Sequence, residues 1–108
     1  NVYGLGDVTE IKVNENISLP KAGIFAEAEA KIVSLQIINE ILNTREEQTS
    51  KFDGRGFCFM QTGHNKAGYI DADFYNESGP LTKLEPPSEE SYRKKIEFEQ
   101  ERMNEWFR

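Results

Sequence analysis

The sequence predicts an α+β fold, and three observations carry that expectation. Ile24 to Asn43 is rich in Ala, Leu, Ile, Glu and Lys, which helices favour or tolerate. Two β-type segments, Phe57 to Gln61 and Gly68 to Tyr75, flank "TGHNKA", whose glycine and asparagine suit a hairpin turn. From about Glu89 to Phe107 the composition is again helical. The expected order is strand, long helix, β-hairpin, C-terminal helix.

The strand is "VYGLGDV", Val2 to Val8, a β-prone run closed by glycines and read as a buried strand feeding a loop. "TEIKVNENISLPKAG" is that loop, ending in Pro20 and Gly23. In the long helix, Ile24, Ala28, Leu35, Ile38 and Leu42 lie along one side at helical spacing, while Phe25, Ala26, Ala30, Val33, Ile37 and Ile41 occupy much of the rest. Such a helix needs cover on more than one face. "NTREEQTSK" is a polar connection, and "NESGPLTKLEPPSEES" reads as a Pro, Ser and Gly loop. Ser88 caps the last helix, with an incomplete capping box because Ser91 stands where Glu or Gln would complete it. Glu89 and Glu90 suit the positive end of the helix dipole. Tyr92, Ile96, Met103, Trp106 and Phe107 share one face of this helix, and Phe98 points away from them.

The 108 residues suffice for one domain of modest core. A net charge of -6 argues against nucleic acid as a partner, since phosphate binding depends on clustered Lys and Arg. One cysteine forms no internal disulfide. The apolar runs fall well short of the roughly 20 residues that span a bilayer, and no signal-peptide pattern opens the chain. The expected location is cytoplasmic, or peripheral on a membrane. The chain enters an apolar run directly after Asn1, as an excised piece would, and such a piece should show apolar surface it cannot bury alone. His64 is the only histidine; with one Cys and one His, no metal site can be argued, nor any catalytic triad.

Two short stretches carry chemistry. "GLGD" alone is weak as a glycine motif, lacking the third glycine of a dinucleotide fingerprint. "FDGRGFCFMQTG" holds Cys58 between two phenylalanines; a thiol there is either half of a redox pair or a small buried hydrophobe of a core strand.

In sequence order, "GLGD" and "LPKAGIFAEAEA" resemble the late segment of the two-dinucleotide-binding-domain flavoproteins, the pyridine nucleotide-disulfide oxidoreductase superfamily. The resemblance implies FAD as cofactor, with Gly6 and Asp7 at the ribityl chain and Lys21, Ala22 and Gly23 near the flavin. Further along, "GRGFCFMQTG", "AGYIDADFY", "PPS" and "KKIEFE" resemble the C-terminal part of the sulfide:quinone oxidoreductase and flavocytochrome c sulfide dehydrogenase family. This covers nearly the whole chain, though only the C-terminal part of such an enzyme. It implies that residues 1–45 are the terminal strand and helix of an FAD-binding domain, and that 46–108 form a C-terminal hairpin and helix on the quinone side. Cys58 would be catalytic, paired with a cysteine from the nucleotide-binding half. Phe98 would pack on the quinone, with Lys95 and Glu99 completing the "K-x-x-F-E" pattern and Gly63 letting backbone approach the ligand.

The chain departs from the family at Gln61, where an acidic residue is common, and has no counterpart of the family's second quinone-facing aromatic. Trp106 and Phe107 could touch lipid, but the acidic residues nearby make that association weak. The partners implied are the N-terminal nucleotide-binding part of the same enzyme, the quinone and a second copy in a homodimer. The chain alone should be inactive, because it carries neither a glycine-rich phosphate cradle nor a second cysteine. Two other functions fit the same residues: an NAD(P)H-dependent flavoprotein reductase with a structural Cys58, and a non-catalytic module that dimerises through exposed helix faces.

Overall fold

The computed structural model of the chain describes residues 1–44 and 51–108. It is α+β: a 3-10 turn at Gly6–Val8, helix α1 at Gly23–Leu42, strands β1 at Arg55–Gly63, β2 at Lys66–Asp73 and β3 at Leu81–Ser88, and helix α2 at Glu89–Trp106. The strands lie in the order β1-β2-β3. Their connections are too short for a crossover, so neighbouring strands run antiparallel. The polar connection expected over 43–51, with the expected boundary at 45/46, falls almost wholly outside the described residues. The chain divides into two compact units, 1–56 with 73–81 and 57–72 with 82–108.

In the first unit, α1 starts after Ala22, which supplies no side-chain cap, and stops at Asn43 in the left-handed conformation, φ 50°, a common helix terminator. Phe25 is 5% exposed and meets Phe52 and Phe74 edge-on, with ring centroids 6.0 and 5.7 Å away. Edge-to-face contact sets the positive ring rim against the negative ring face of its neighbour. Phe52 continues the cluster to Tyr75 at 5.7 Å. Gly56 lets it close, because a Cβ there would overlap the Phe25 ring. With Leu19 and Phe74, Phe25 makes up the small buried apolar core of this unit.

The buried strand expected over Val2 to Val8 is not formed. Val2 is fully exposed, Val8 is 82% exposed, and Gly6–Val8 turns as a 3-10 helix. A strand needs a neighbour to satisfy its backbone, and the described residues pair none with this segment. It is tied down by side chains instead: Asn1 and Tyr3 donate hydrogen bonds to the Glu40 carboxylate. The Tyr3 bond holds Glu40 below the usual carboxylate range, and the carboxylate in turn raises Tyr3. The following loop folds back through a Lys12–Ser18 bridge, with Asn14 Oδ1 accepting from the amides of Asn16 and Ile17, an Asx-type turn.

The expectation that α1 lacks cover is met. Within its C-terminal half Leu35, Ile37, Ile38, Ile41 and Leu42 are all exposed, Ile41 by 74%.

In the second unit, β1 and β2 join through His64 and Asn65, both left-handed at φ 52° and 55°, the two-residue hairpin turn whose twist matches the strands. Ala67 is fully buried and Ala72 nearly so on β2. Strand β3 occupies part of the segment read as a loop. It pairs with β2 alone, and an edge strand tolerates Pro86 and Pro87, which would break the ladder of a central one. Ser88 caps α2 as expected, accepting the Ser91 amide at 3.0 Å. Ser88→Ala should lower stability by about 1 kcal/mol, read as a shift in urea midpoint with an unchanged slope.

Helix α2 covers only part of its apolar stripe: Tyr92 and Ile96 are half-buried, as are Lys95, Phe98 and Arg102, and Ser91 is buried, whereas Met103, Trp106 and Phe107 are exposed. Phe98 decides this orientation through its aromatic contacts with β1.

Candidate functional site

The residues singled out in the sequence fall on two surfaces, one in each unit. On the first, Gly6, Asp7, Lys21 and Ala22 line one depression beside the start of α1, together with Thr9, Phe25 and Glu29. Its enclosed volume is roughly 10 Å³, space for about one water, so anything larger would lie across its mouth. Gly6 is left-handed at φ 68°, and a Cβ on it would press against Ala26 at 3.3 Å; the turn needs glycine on both counts. The Gly6 amide donates to Glu29 Oε2 at 2.6 Å, and Lys21 Nζ donates to the Asp7 carbonyl at 2.7 Å. The Asp7 carboxylate is exposed and has no partner among the described residues. Gly23, the first residue of α1, does not line the depression.

This arrangement fits the polar parts of a flavin. The open Asp7 carboxylate is an acceptor for hydroxyl groups. The first turn of α1 has neither a side-chain cap nor an acidic residue, so its amides and the helix dipole favour negative charge.

On the second surface, β1 alternates. Phe57 and Phe59 are half-buried on one side, and Cys58 and Met60 are exposed on the other. Phe98 of α2 closes over the phenylalanine side, 5.4 Å from Phe57 and 6.2 Å from Phe59. Tyr69 of β2 completes the cluster, 5.8 Å from Phe57 and 5.3 Å from Phe59. These four rings line an open groove of about 340 Å³ whose other walls are Glu85, Lys94, Glu97 and Glu101. The Arg102 guanidinium lies over the Phe98 ring at 4.8 Å, a cation–π contact. Burial pushes the Tyr69 phenol up, with Asp71 and Glu85 adding to the effect, so it keeps its proton throughout the neutral range.

Of the expected quinone contacts, only Phe98 lies in this groove. Lys95 lies outside it and pairs with Glu99 at 3.4 Å; the lysine on the rim is Lys94, itself paired with Glu90 at 2.9 Å. Gly63 stands at the hairpin with φ 91°, and the turn accounts for the glycine without a ligand. Cys58 is exposed, which overturns its reading as buried core filler. It lies on the opposite side of β1 from the residues that meet Phe98.

Sequence reasoning missed Phe57, Phe59 and Tyr69 as companions of Phe98. The alternation of β1 places Phe57 and Phe59 together, but cross-strand register is needed to add Tyr69. Glu29 was missed as well; its position four residues after Phe25, one turn along α1, is the available signal.

No protein-family model matches the chain, and neither a curated protein nor a solved structure matches it. Among the described residues no helix is long and apolar enough to cross a membrane.

Proposed function

We propose that the chain is part of an FAD-dependent oxidoreductase that oxidises sulfide and delivers the electrons to a quinone. The observation that carries this reading is the groove of Phe57, Phe59, Tyr69 and Phe98, an aromatic surface of mutually tilted and edge-on rings at the size of a small-ligand site. A quinone ring is planar and apolar, and such rings gain from stacking and from area removed from water. The depression at Asp7 supports the flavin half, since an open carboxylate and an uncapped helix start suit the ribityl hydroxyls and the pyrimidine end. The uncovered apolar half of α1 supports a place for it against further polypeptide of the same enzyme.

In this reading Cys58 forms a disulfide with a cysteine outside the chain. Sulfide attacks one sulfur, the S–S bond breaks, one cysteine carries the new persulfide and the other leaves as a thiolate. Exposure of Cys58 suits that exchange, which needs access as well as thiolate character. Bound FAD would accept the two electrons released as the thiolate and the persulfide sulfur join in a new S–S bond with loss of the persulfide proton, and would pass them to the quinone. Asp7 orients it, and the start of α1 favours the charge that builds on reduction.

Phe98→Leu keeps apolar volume and removes the stacking face. In the intact enzyme it should raise the quinone KM by roughly 3- to 10-fold, the equivalent of about 0.5–1.5 kcal/mol for an aromatic pair, and leave flavin reduction by sulfide unchanged. Quinone kinetics identical to wild type would remove the groove from the electron-acceptor side.

A further inference from the structure

We infer that Tyr69 is the hydrogen-bond donor and proton donor to the quinone in this groove. The inference rests on the function proposed above and assigns a chemical role to a residue that the sequence motifs pass over. Tyr69 lines the groove beside Phe57 and Phe59, and its hydroxyl meets no hydrogen-bond partner among the described residues. An open phenol at an aromatic wall is placed to meet the carbonyl of a ring stacked there, while the ring of Tyr69 itself contributes to the stack.

The charges around the groove give the proton a purpose. Asp71 on β2, Glu85 on β3, and Glu97 and Glu101 on α2 put negative charge near Tyr69, and Lys94 offsets part of it. A quinone that took electrons without protons would become an anion beside these carboxylates, at an electrostatic cost. The surroundings therefore favour reduction in which a proton arrives with the electrons and a neutral quinol leaves.

The balance is that of an ordinary quinone reduction. Quinone takes two electrons and two protons; the electron pair comes from the reduced flavin of the proposed function. Tyr69 gives one proton to a carbonyl oxygen, whose C=O becomes C–OH, and solvent gives the other. Water, which the open groove admits, reprotonates the Tyr69 oxygen as its proton leaves, so that no tyrosinate persists where burial and the nearby carboxylates push the phenol up.

Tyr69→Phe tests this in the intact enzyme, because it keeps the ring and removes only the hydroxyl. With decylubiquinone as acceptor, reoxidation of the sulfide-reduced flavin should slow by roughly 100-fold, the low end for loss of a general acid. The quinone KM should change by only a few-fold. The solvent deuterium isotope effect on that step should disappear or change in size, and reduction of the flavin by sulfide should stay at the wild-type rate. Wild-type reoxidation in the variant overturns the inference, as does a change confined to KM with the isotope effect intact, which would leave Tyr69 as a wall. If the variant does not fold, Tyr69→Leu replaces it: slowed reoxidation with reduction of the flavin by sulfide intact supports the inference, and wild-type reoxidation refutes it. Should the wild type reduce its flavin with sulfide but never pass electrons to quinone, the function proposed above fails first and takes this role with it.

Discussion

Phe25→Ala is expected to destabilise the protein by about 3–5 kcal/mol, the usual cost of emptying a buried phenylalanine site. Such a loss is a large fraction of the 5–15 kcal/mol typical of a folded domain. The site is also poorly able to collapse. Phe25 is held between Phe52 and Phe74 on one side and the backbone of Gly56 on another, and among the described residues of the unit only Leu19 and Phe74 are buried apolar residues beside it. Urea unfolding followed by far-ultraviolet circular dichroism measures the change. A loss below about 1 kcal/mol, the range of surface substitutions, would mean that Phe25 does not organise this core.

The largest effect on activity is expected at Cys58. Cys58→Ser should slow reduction of the flavin by sulfide on the order of a thousandfold or more, because a hydroxyl can neither form the disulfide nor carry the persulfide. The fold should be indifferent to the change, within about 0.5 kcal/mol, as at other exposed positions free of special contacts. Rapid mixing of the variant with sulfide and, separately, with NADH distinguishes the alternatives. Loss with sulfide alone identifies the thiol as the sulfur-handling group. Flavin reduced by NADH at equal rates in variant and wild type, with no sulfide reaction in either, would identify a nicotinamide-dependent reductase in which Cys58 has no chemical part.

The elements legible in the sequence were those whose period is set by their own residues. Helix α1 matches its apolar and Ala-rich pattern within one residue at each end, and α2 starts directly after the serine expected to cap it. The hairpin turn was legible because Gly63, His64 and Asn65 supply the left-handed conformations it needs. Strand β3 was not, since "LTKLEPPS" is largely exposed and prolines at a paired edge look the same in sequence as prolines in a loop. Val2 to Val8 misled in the opposite direction: its composition suits a buried strand, but a strand forms only where a neighbour accepts its hydrogen bonds. Phe98 stood out because it left the apolar stripe of its helix. What it packs against depended on β1 and β2 coming side by side, which no local pattern encodes. The same gap separates Lys95 from the groove that Lys94 borders, one residue and about 100° of helix apart.

The central claim is that this chain belongs to a flavoenzyme that carries electrons from sulfide to quinone. Anaerobic titration of the intact protein, followed at the visible flavin absorption band, tests it most directly. The account predicts a bound flavin that bleaches on adding sulfide and recovers its colour on adding decylubiquinone. A protein isolated from flavin-replete cells without flavin, or one whose flavin is untouched by sulfide, would contradict it.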